Sequence, residues 1–258
     1  MESVDYHTAH ALLEWQIELG ADECIGDAPV DRYALPEQLA KPAKQPEAKP
    51  HLTRGPVAEV KRDAVAEART AANSADSVEA LRATMAAFEL CDLKRGARKM
   101  VFSDGVVGAP VMIIGEVPDR DEDRQGKPFV GAAGQLLDRM FAAIGMGRGQ
   151  AAAPIYLTSV LPWRTPNRDP KPDEIAMMKP FLERHIALAN PKVLVIMGNG
   201  ACQSLLGKTG VSRLRGKWAQ AVDKPALPMM HPASLLKNPA AKREAWADLL
   251  SLKAAVDK

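Results

Sequence analysis

Four short segments of this 258-residue chain hold most of the side chains able to do chemistry. The first runs Gly115-Glu116-Val117-Pro118-Asp119, then Arg120-Asp121-Glu122-Asp123, then Gly126-Lys127-Pro128-Phe129-Val130-Gly131. The second contains Thr158-Ser159, Pro162-Trp163-Arg164 and Asn167-Arg168. The third is Gly198-Asn199-Gly200, and the fourth His231-Pro232-Ala233-Ser234-Leu235-Leu236-Lys237. Carboxylates such as Glu116, Asp119 and Glu122 can hold water or offset a developing positive charge. An imidazole such as His231 can donate to a developing negative charge, and Arg164, Arg168 and Lys237 suit phosphates. Each piece also has a plain structural reading. GEVPD could be only a tight turn, Glu122 a member of a solvated acidic turn, Phe129 a core aromatic and His231 a loop residue. The amides of Gly198-Asn199-Gly200 suit a phosphate at a helix start as well as they suit an ordinary strand-to-helix turn.

The elements that would position these segments are legible in the apolar pattern. Apolar runs, the first three β-branched, stand at 111–115 (VMIIG), 155–160 (IYLTSV), 193–198 (VLVIMG) and 227–230 (LPMM), separated by helical stretches at 132–144, 173–189, 199–206 and 240–255. Apolar runs alternating with helices predict a three-layer α/β/α fold around a central four-stranded, mainly parallel sheet. Right-handed crossovers then bring the strand C-termini, and all four segments, to one edge. Upstream, helical signals cover 57–72 and 77–89, with Ser74 or Asp76 as a cap and Val78, Leu81, Met85 and Phe88 on one face. A helix-period stripe over 7–19 (Ala11, Leu12, Trp15, Leu19) ends at Gly20. The five prolines between Pro36 and Pro56 read as an extended linker. Residues 1–56 are therefore expected to be a helix and flexible linker, and residues 57–258 the domain that carries the chemistry.

Composition narrows the partners. With 47% apolar and 26% charged residues the chain can bury a core without covalent staples. Its three cysteines, Cys24, Cys91 and Cys202, are too far apart for a disulfide framework or a zinc knuckle. No run approaches the ~18 apolar residues of a membrane span, and the first residues lack the basic and apolar regions of a secretory leader, so a reducing cytoplasm is expected. The net charge of +2 hides an asymmetry: residues 1–90 hold 9 Lys/Arg against 16 Asp/Glu, and residues 91–258 hold 25 against 16. The basic excess in the second part suits a polyanion.

The stretches GEVPDRDEDRQGKPFVGAAGQLLDRM, YLTSVLPWRTPNRDPKPDEI and MHPASLLKNPAAKREAW resemble, in order and spacing, the uracil-DNA glycosylase superfamily, and within it the family 4 branch. The likeness runs from about Phe88 to Leu252. It implies a DNA repair enzyme that extrudes uracil from the stack and hydrolyses its N-glycosidic bond with activated water. By this resemblance Phe129 stacks on the extruded base, His231 donates to the uracil oxygen where charge accumulates, and Glu116 contacts or helps position substrate and water. Glu122 matches the family's trailing glutamate, Gly115 and Pro118 line the pocket, and Ser159 occupies the base-reading position. Ser234, Leu235 and Leu236 resemble the wedge that fills the vacated stack, although helix-entry packing explains them equally simply. Arg164, Arg168 and Lys237, with Arg213, Arg215, Lys242 and Arg243, would supply phosphate contacts.

Three departures qualify the likeness. The family 4 pattern carries four cysteines that hold a [4Fe–4S] cluster, and in this chain those positions are Phe88, Cys91, Trp163 and Met178. One thiolate is no ligand set for such a cluster, so no iron is expected, and Cys91 becomes a small buried hydrophobe. The family's base-reading Asn is Ser159, a shorter group without the fixed donor–acceptor plane of an amide. The pocket closes further, water fills the gap, or discrimination between uracil and cytosine is weaker. Asp119 stands where the family usually has Gly, either as a further water-positioning carboxylate, as a charge opposing DNA, or as a strain on a turn that prefers Gly. The expectation is a monomeric, monofunctional glycosylase acting on DNA. Excision of another lesion, such as hypoxanthine or mismatched thymine, and a binding relative with weak turnover are the alternatives. A brake on the basic face and a protein-docking arm both remain open for residues 1–56.

Overall fold

A computed structural model of the chain describes His10, Trp15, residues 63–165 and residues 168–257. The helix expected over 7–19, the linker over 36–56, the boundary at residue 56 and Asn167 lie outside the described residues. The chain divides into two units, Met1–Val57 and Ala58–Lys258, and the sheet with its covering helices belongs to the second.

The domain opens with α1 (Ala64–Asn73), started by Asp63, whose Oδ1 accepts from the Val65 and Ala66 amides at 3.1 Å each. The next helix, α2 (Val78–Ala87), is capped by Ser77, whose hydroxyl accepts from Ala80 N at 3.1 Å. Neither Ser74 nor Asp76 is the cap: Ser74 is still bonded to the end of α1 through the Thr70 and Ala71 carbonyls. The expected apolar face of Val78, Leu81, Met85 and Phe88 is buried. A one-turn α3 (Leu93–Gly96) leads to β1 (Ser103–Gly105) and β2 (Val111–Gly115), then α4 (Arg120–Gln125) and α5 (Gly131–Ala142). There follow β3 (Ile155–Ser159), α6 (Pro172–Ala189), β4 (Val193–Met197), α7 (Asn199–Leu206) and α8 (Val211–Leu214). The chain closes with β5 (Ala219–Ala221), β6 (Lys224–Met229), α9 (Pro232–Lys237) and α10 (Lys242–Val256).

The sheet has six strands, not four, in the order β1-β3-β2-β4-β6-β5. The four central strands are the expected ones and are parallel; β1 and β5 add antiparallel edges. Both edges escape the sequence reading because Ser103-Asp104-Gly105 and Ala219-Gln220-Ala221 are three residues long and carry no apolar run. Side-chain alternation along the parallel strands divides the core into two layers. Met112, Ile114, Tyr156, Leu194, Ile196 and Ala226 face a cluster that includes residues of α1, α2, α6 and α7. Val111, Ile113, Ile155, Leu157, Val195 and Leu227 face Leu137 and Phe141 of α5 and Leu249 and Leu252 of α10. Both faces being covered is the condition for an all-apolar parallel strand. Leu157→Ala, at a fully buried position, is expected to lower the unfolding free energy by about 2–5 kcal/mol, measured by urea titration as a lower midpoint at unchanged slope.

Candidate active site

Strand register brings the notable loops together. Gly115, the last residue of β2, pairs with Ser159, the last of β3, and Met197 at the end of β4 pairs with Met229 at the end of β6. Glu116, Val160, Gly198 and Met230-His231 therefore leave the sheet side by side, at the edge where open α/β sheets bind ligands. The Val160 amide closes this edge by donating to the Gly115 and Glu116 carbonyls at 3.0 and 3.1 Å.

Phe129 is the aromatic of this edge, and its backbone is unusual. Its φ is 52°, in the left-handed region, which costs a bulky residue about 1–3 kcal/mol and persists only where the surroundings impose it. Several neighbours do. The Phe129 amide donates to Glu122 Oε1. Gly134 is a glycine because a Cβ there would strike the Phe129 carbonyl, and Gly131 follows with φ 71°. Gly115 supplies a flat bed, since a Cβ there would lie 2.7 Å from Phe129 Cζ. The ring is buried and lies 5.6 Å, centroid to centroid, from that of His231, at 23° between planes.

The acidic turn is a helix start. Asp119 Oδ1 accepts from the Asp121 and Glu122 amides at 2.8 Å each, and Glu122 Oε2 accepts from Asp119 N at 2.8 Å, a complete capping box on α4. Both Glu122 oxygens are thus committed to backbone amides. Burial pushes its pKa up to about 7, reinforced by the Asp119 charge and opposed by the two amides and by Arg148. Asp123 is buried and accepts from Arg98 N at 2.8 Å. Asp119 is exposed and Pro118 buried.

His231 is half-buried and caps α9, its Nδ1 accepting from Ala233 N at 3.2 Å. That bond assigns the proton of the neutral ring to Nε2. Burial lowers the His231 pKa, and the nearby Glu116 charge only partly offsets this, so the neutral ring is the form present at pH 7. Glu116 Oε1 accepts from Gly200 N at 2.5 Å, at the first turn of α7. A Cβ on Gly198, whose φ is 96°, would lie 2.7 Å from that oxygen. The amide considered for a phosphate is therefore bonded to a protein carboxylate. Glu116 also lines a cleft of about 520 Å³ with Val117, Asn199, Gln203 and Thr209.

The remaining positions are distributed. Ser159 and Arg164 are half-buried, and Arg168 is exposed and held by both Glu174 oxygens at 2.6 and 2.9 Å. On α9, Ser234 is half-buried, Leu235 is fully buried against Leu136 and Ala245, and Leu236 and Lys237 are exposed. Phe88, Cys91, Trp163 and Met178 are all buried in one apolar cluster, with Phe88 edge-on to Phe181 at 5.2 Å. Burial raises the Cys91 thiol pKa. One thiol, two aromatic rings and a thioether do not fit an iron–sulfur cluster, and among the described residues no group of three or more His, Cys, Asp or Glu is arranged to hold a metal. Nor does any described helix have the length and apolarity to cross a membrane.

Sequence reasoning missed Gly134 and Arg148. The GAAG spacing within GKPFVGAAG was a visible signal for the first. Arg148 gave none, because an arginine in a Gly-rich loop reads as surface; yet its guanidinium donates to the Pro128 and Phe129 carbonyls at 3.0 and 2.5 Å.

A doubly wound parallel sheet whose strand ends gather an aromatic ring, an imidazole and a carboxylate defines a ligand-binding α/β domain with hydrolytic chemistry within reach. Residues 102–250 match the model of the uracil DNA glycosylase superfamily, and the chain belongs to that superfamily. A type-4 uracil-DNA glycosylase from Archaeoglobus fulgidus is 37% identical over 170 residues, 61% of this chain and 82% of the relative. One from Sulfurisphaera tokodaii is 35% identical over 175 residues, 64% of this chain and 78% of the relative. A third, from Thermotoga maritima, is 32% identical over 154 residues, 57% and 77% of the two chains.

The raised pKa of Glu122 has a sign. The folded state favours its protonated form, so its contribution to stability is full below pH 4.5 and is lost as pH rises through about 7. Between those limits the unfolding free energy of the wild-type chain should fall relative to that of Glu122→Gln by about 2–3 kcal/mol, read from paired urea titrations. A difference that stays constant with pH would return Glu122 to an ordinary carboxylate.

Proposed function

We propose that this chain is a monofunctional DNA N-glycosylase that extrudes uracil and hydrolyses its bond to the sugar, leaving an abasic site. The observation that carries this reading is the His231 ring beside Phe129, with Nδ1 accepting from the Ala233 amide so that the ring presents Nε2–H as its donor. Cleavage breaks the C1′–N bond with its electron pair leaving on uracil, while the water oxygen bonds to C1′ and its released proton ends on the uracil anion. A preorganised donor at the uracil oxygen stabilises that departing anion without having to lose its own proton. Phe129 is the platform for the base, and Gly115 and Pro118 belong to the pocket wall.

Among the three carboxylates, Glu116 is the one to hold the water. Glu122 has both oxygens bonded to amides and Asp119 caps α4, whereas Glu116 uses one oxygen on Gly200 and lies close enough to His231 for its charge to act on the ring. Asp119 and Glu122 then serve the reaction by building the loop beneath Phe129. Exposed Leu236, with Ser234 and Lys237, is the wedge tip, and buried Leu235 is its root. Arg164 and Arg168 contribute phosphate contacts, the latter in exchange for Glu174. The apolar cluster of Phe88, Cys91, Trp163 and Met178 supports a domain that works as a monomer without iron. Ser159 is the feature that favours a second reading, excision of a different lesion, since it lacks the amide plane of a strict uracil reader.

The test is excision from labelled oligonucleotides with U·G, U·A or single-stranded uracil, followed by alkaline scission, with hypoxanthine and mismatched thymine as the comparison panel. Uracil strands should be cut, and His231→Ala should slow excision by a factor of about 10²–10³. Binding without scission would make the chain a non-catalytic relative. Full-length protein purified without air should contain no stoichiometric iron and no visible charge-transfer band; either signal would overturn the apolar replacement of the cluster.

A further inference from the structure

Arg148 lies in the loop between α5 and β3, where Gly147 bridges to Pro154 and accepts from Ile155 N at 3.2 Å. The two ends of the loop are therefore tied to each other by backbone bonds. From it the guanidinium reaches four acceptors on three different elements. Nε donates to Asp138 Oδ1 on α5 at 2.8 Å, and one terminal nitrogen donates to Asp104 Oδ2 on β1 at 2.9 Å and to the Pro128 carbonyl at 3.0 Å. The other terminal nitrogen donates to the Phe129 carbonyl at 2.5 Å. The side chain is 18% exposed, and two carboxylates already balance its charge. It is not placed to serve a DNA phosphate.

Phe129 is held at both ends of its backbone: the amide by Glu122 Oε1 and the carbonyl by Arg148. The φ of 52° between them aims the ring at His231. We propose that Arg148 is a positioning residue for base excision, which locks the Phe129 platform in its left-handed conformation and thereby sets the distance between the platform and His231. The inference rests on the reading of Phe129 as the base platform. Lysine keeps the charge of arginine but has one nitrogen, which cannot span four acceptors set around a planar fork. A platform free to shift by about 1 Å loses near-attack geometry, a cost of up to about 10²-fold in rate.

The experiment is a double-mutant cycle on the full chain with uracil-containing DNA, using single-turnover excision rates and DNA Kd. Arg148→Lys should slow excision by about 10–100-fold with little change in Kd or in melting temperature. In a Phe129→Ala background the same substitution should have almost no further effect, because no platform remains to be positioned. Equal losses in both backgrounds, no loss in either, or a loss confined to Kd would overturn the proposal. A second readout does not depend on turnover: the Phe129 amide, bonded to Glu122, should exchange hydrogen faster in Arg148→Lys than in the unsubstituted chain. If the unsubstituted chain excises nothing, the proposed function fails while the exchange measurement still decides the clamp; unchanged exchange overturns the clamp alone.

Discussion

A phenylalanine at a φ of 52° persists only where its neighbours leave no better choice, and much of the site's construction follows from holding Phe129 there. Glu122 takes its amide, Arg148 its carbonyl, and Gly134 yields the space that a side chain would need. Those supports belong to α4, to the loop before β3 and to α5, so the Phe129 backbone is secured by three separate parts of the domain. Hydrogen bonds from a fixed scaffold to a strained backbone are a means of preorganisation: the geometry is in place before the ligand arrives.

The same edge of the sheet puts three carboxylates to different uses by environment alone. Asp119 and Glu122 close a capping box at the start of α4. Glu116 instead turns toward α7 and influences both His231 and Cys202, whose thiol pKa rises to about 11 mainly through burial and partly through that carboxylate. Burial keeps His231 neutral despite the carboxylate, and its bond to Ala233 N leaves Nε2 as the donor. An acid–base role for Glu122 would have to be performed with both of its oxygens already bonded.

On the opposite layer, the four positions that resemble cluster ligands have become part of the hydrophobic core. Phe88, Cys91, Trp163 and Met178 come from separate stretches of the chain and meet in one buried cluster. Burial and an edge-on contact between Phe88 and Phe181 hold these segments together, through dispersion and exclusion of water.

Local pattern alone determined the parallel strands, the helices between them and the edge where the loops emerge, because VMIIG, IYLTS and VLVIM can be buried on both faces only in a helix-covered sheet. Topology also placed the segments bearing Glu116 and His231 just after strands, while Phe129 and Ser159 were singled out by the resemblance of their motifs to the family. Only the tertiary structure decided what each carboxylate does, that Leu235 is inside and Leu236 outside, and that β1 and β5 widen the sheet. Those outcomes depend on partners distant in sequence: Arg148 on Phe129, Gly200 on Glu116, Leu136 on Leu235. Hydrophobic periodicity reports which way a residue faces within its own element, while a hydrogen bond between loops depends on distances that exist only after the elements have packed.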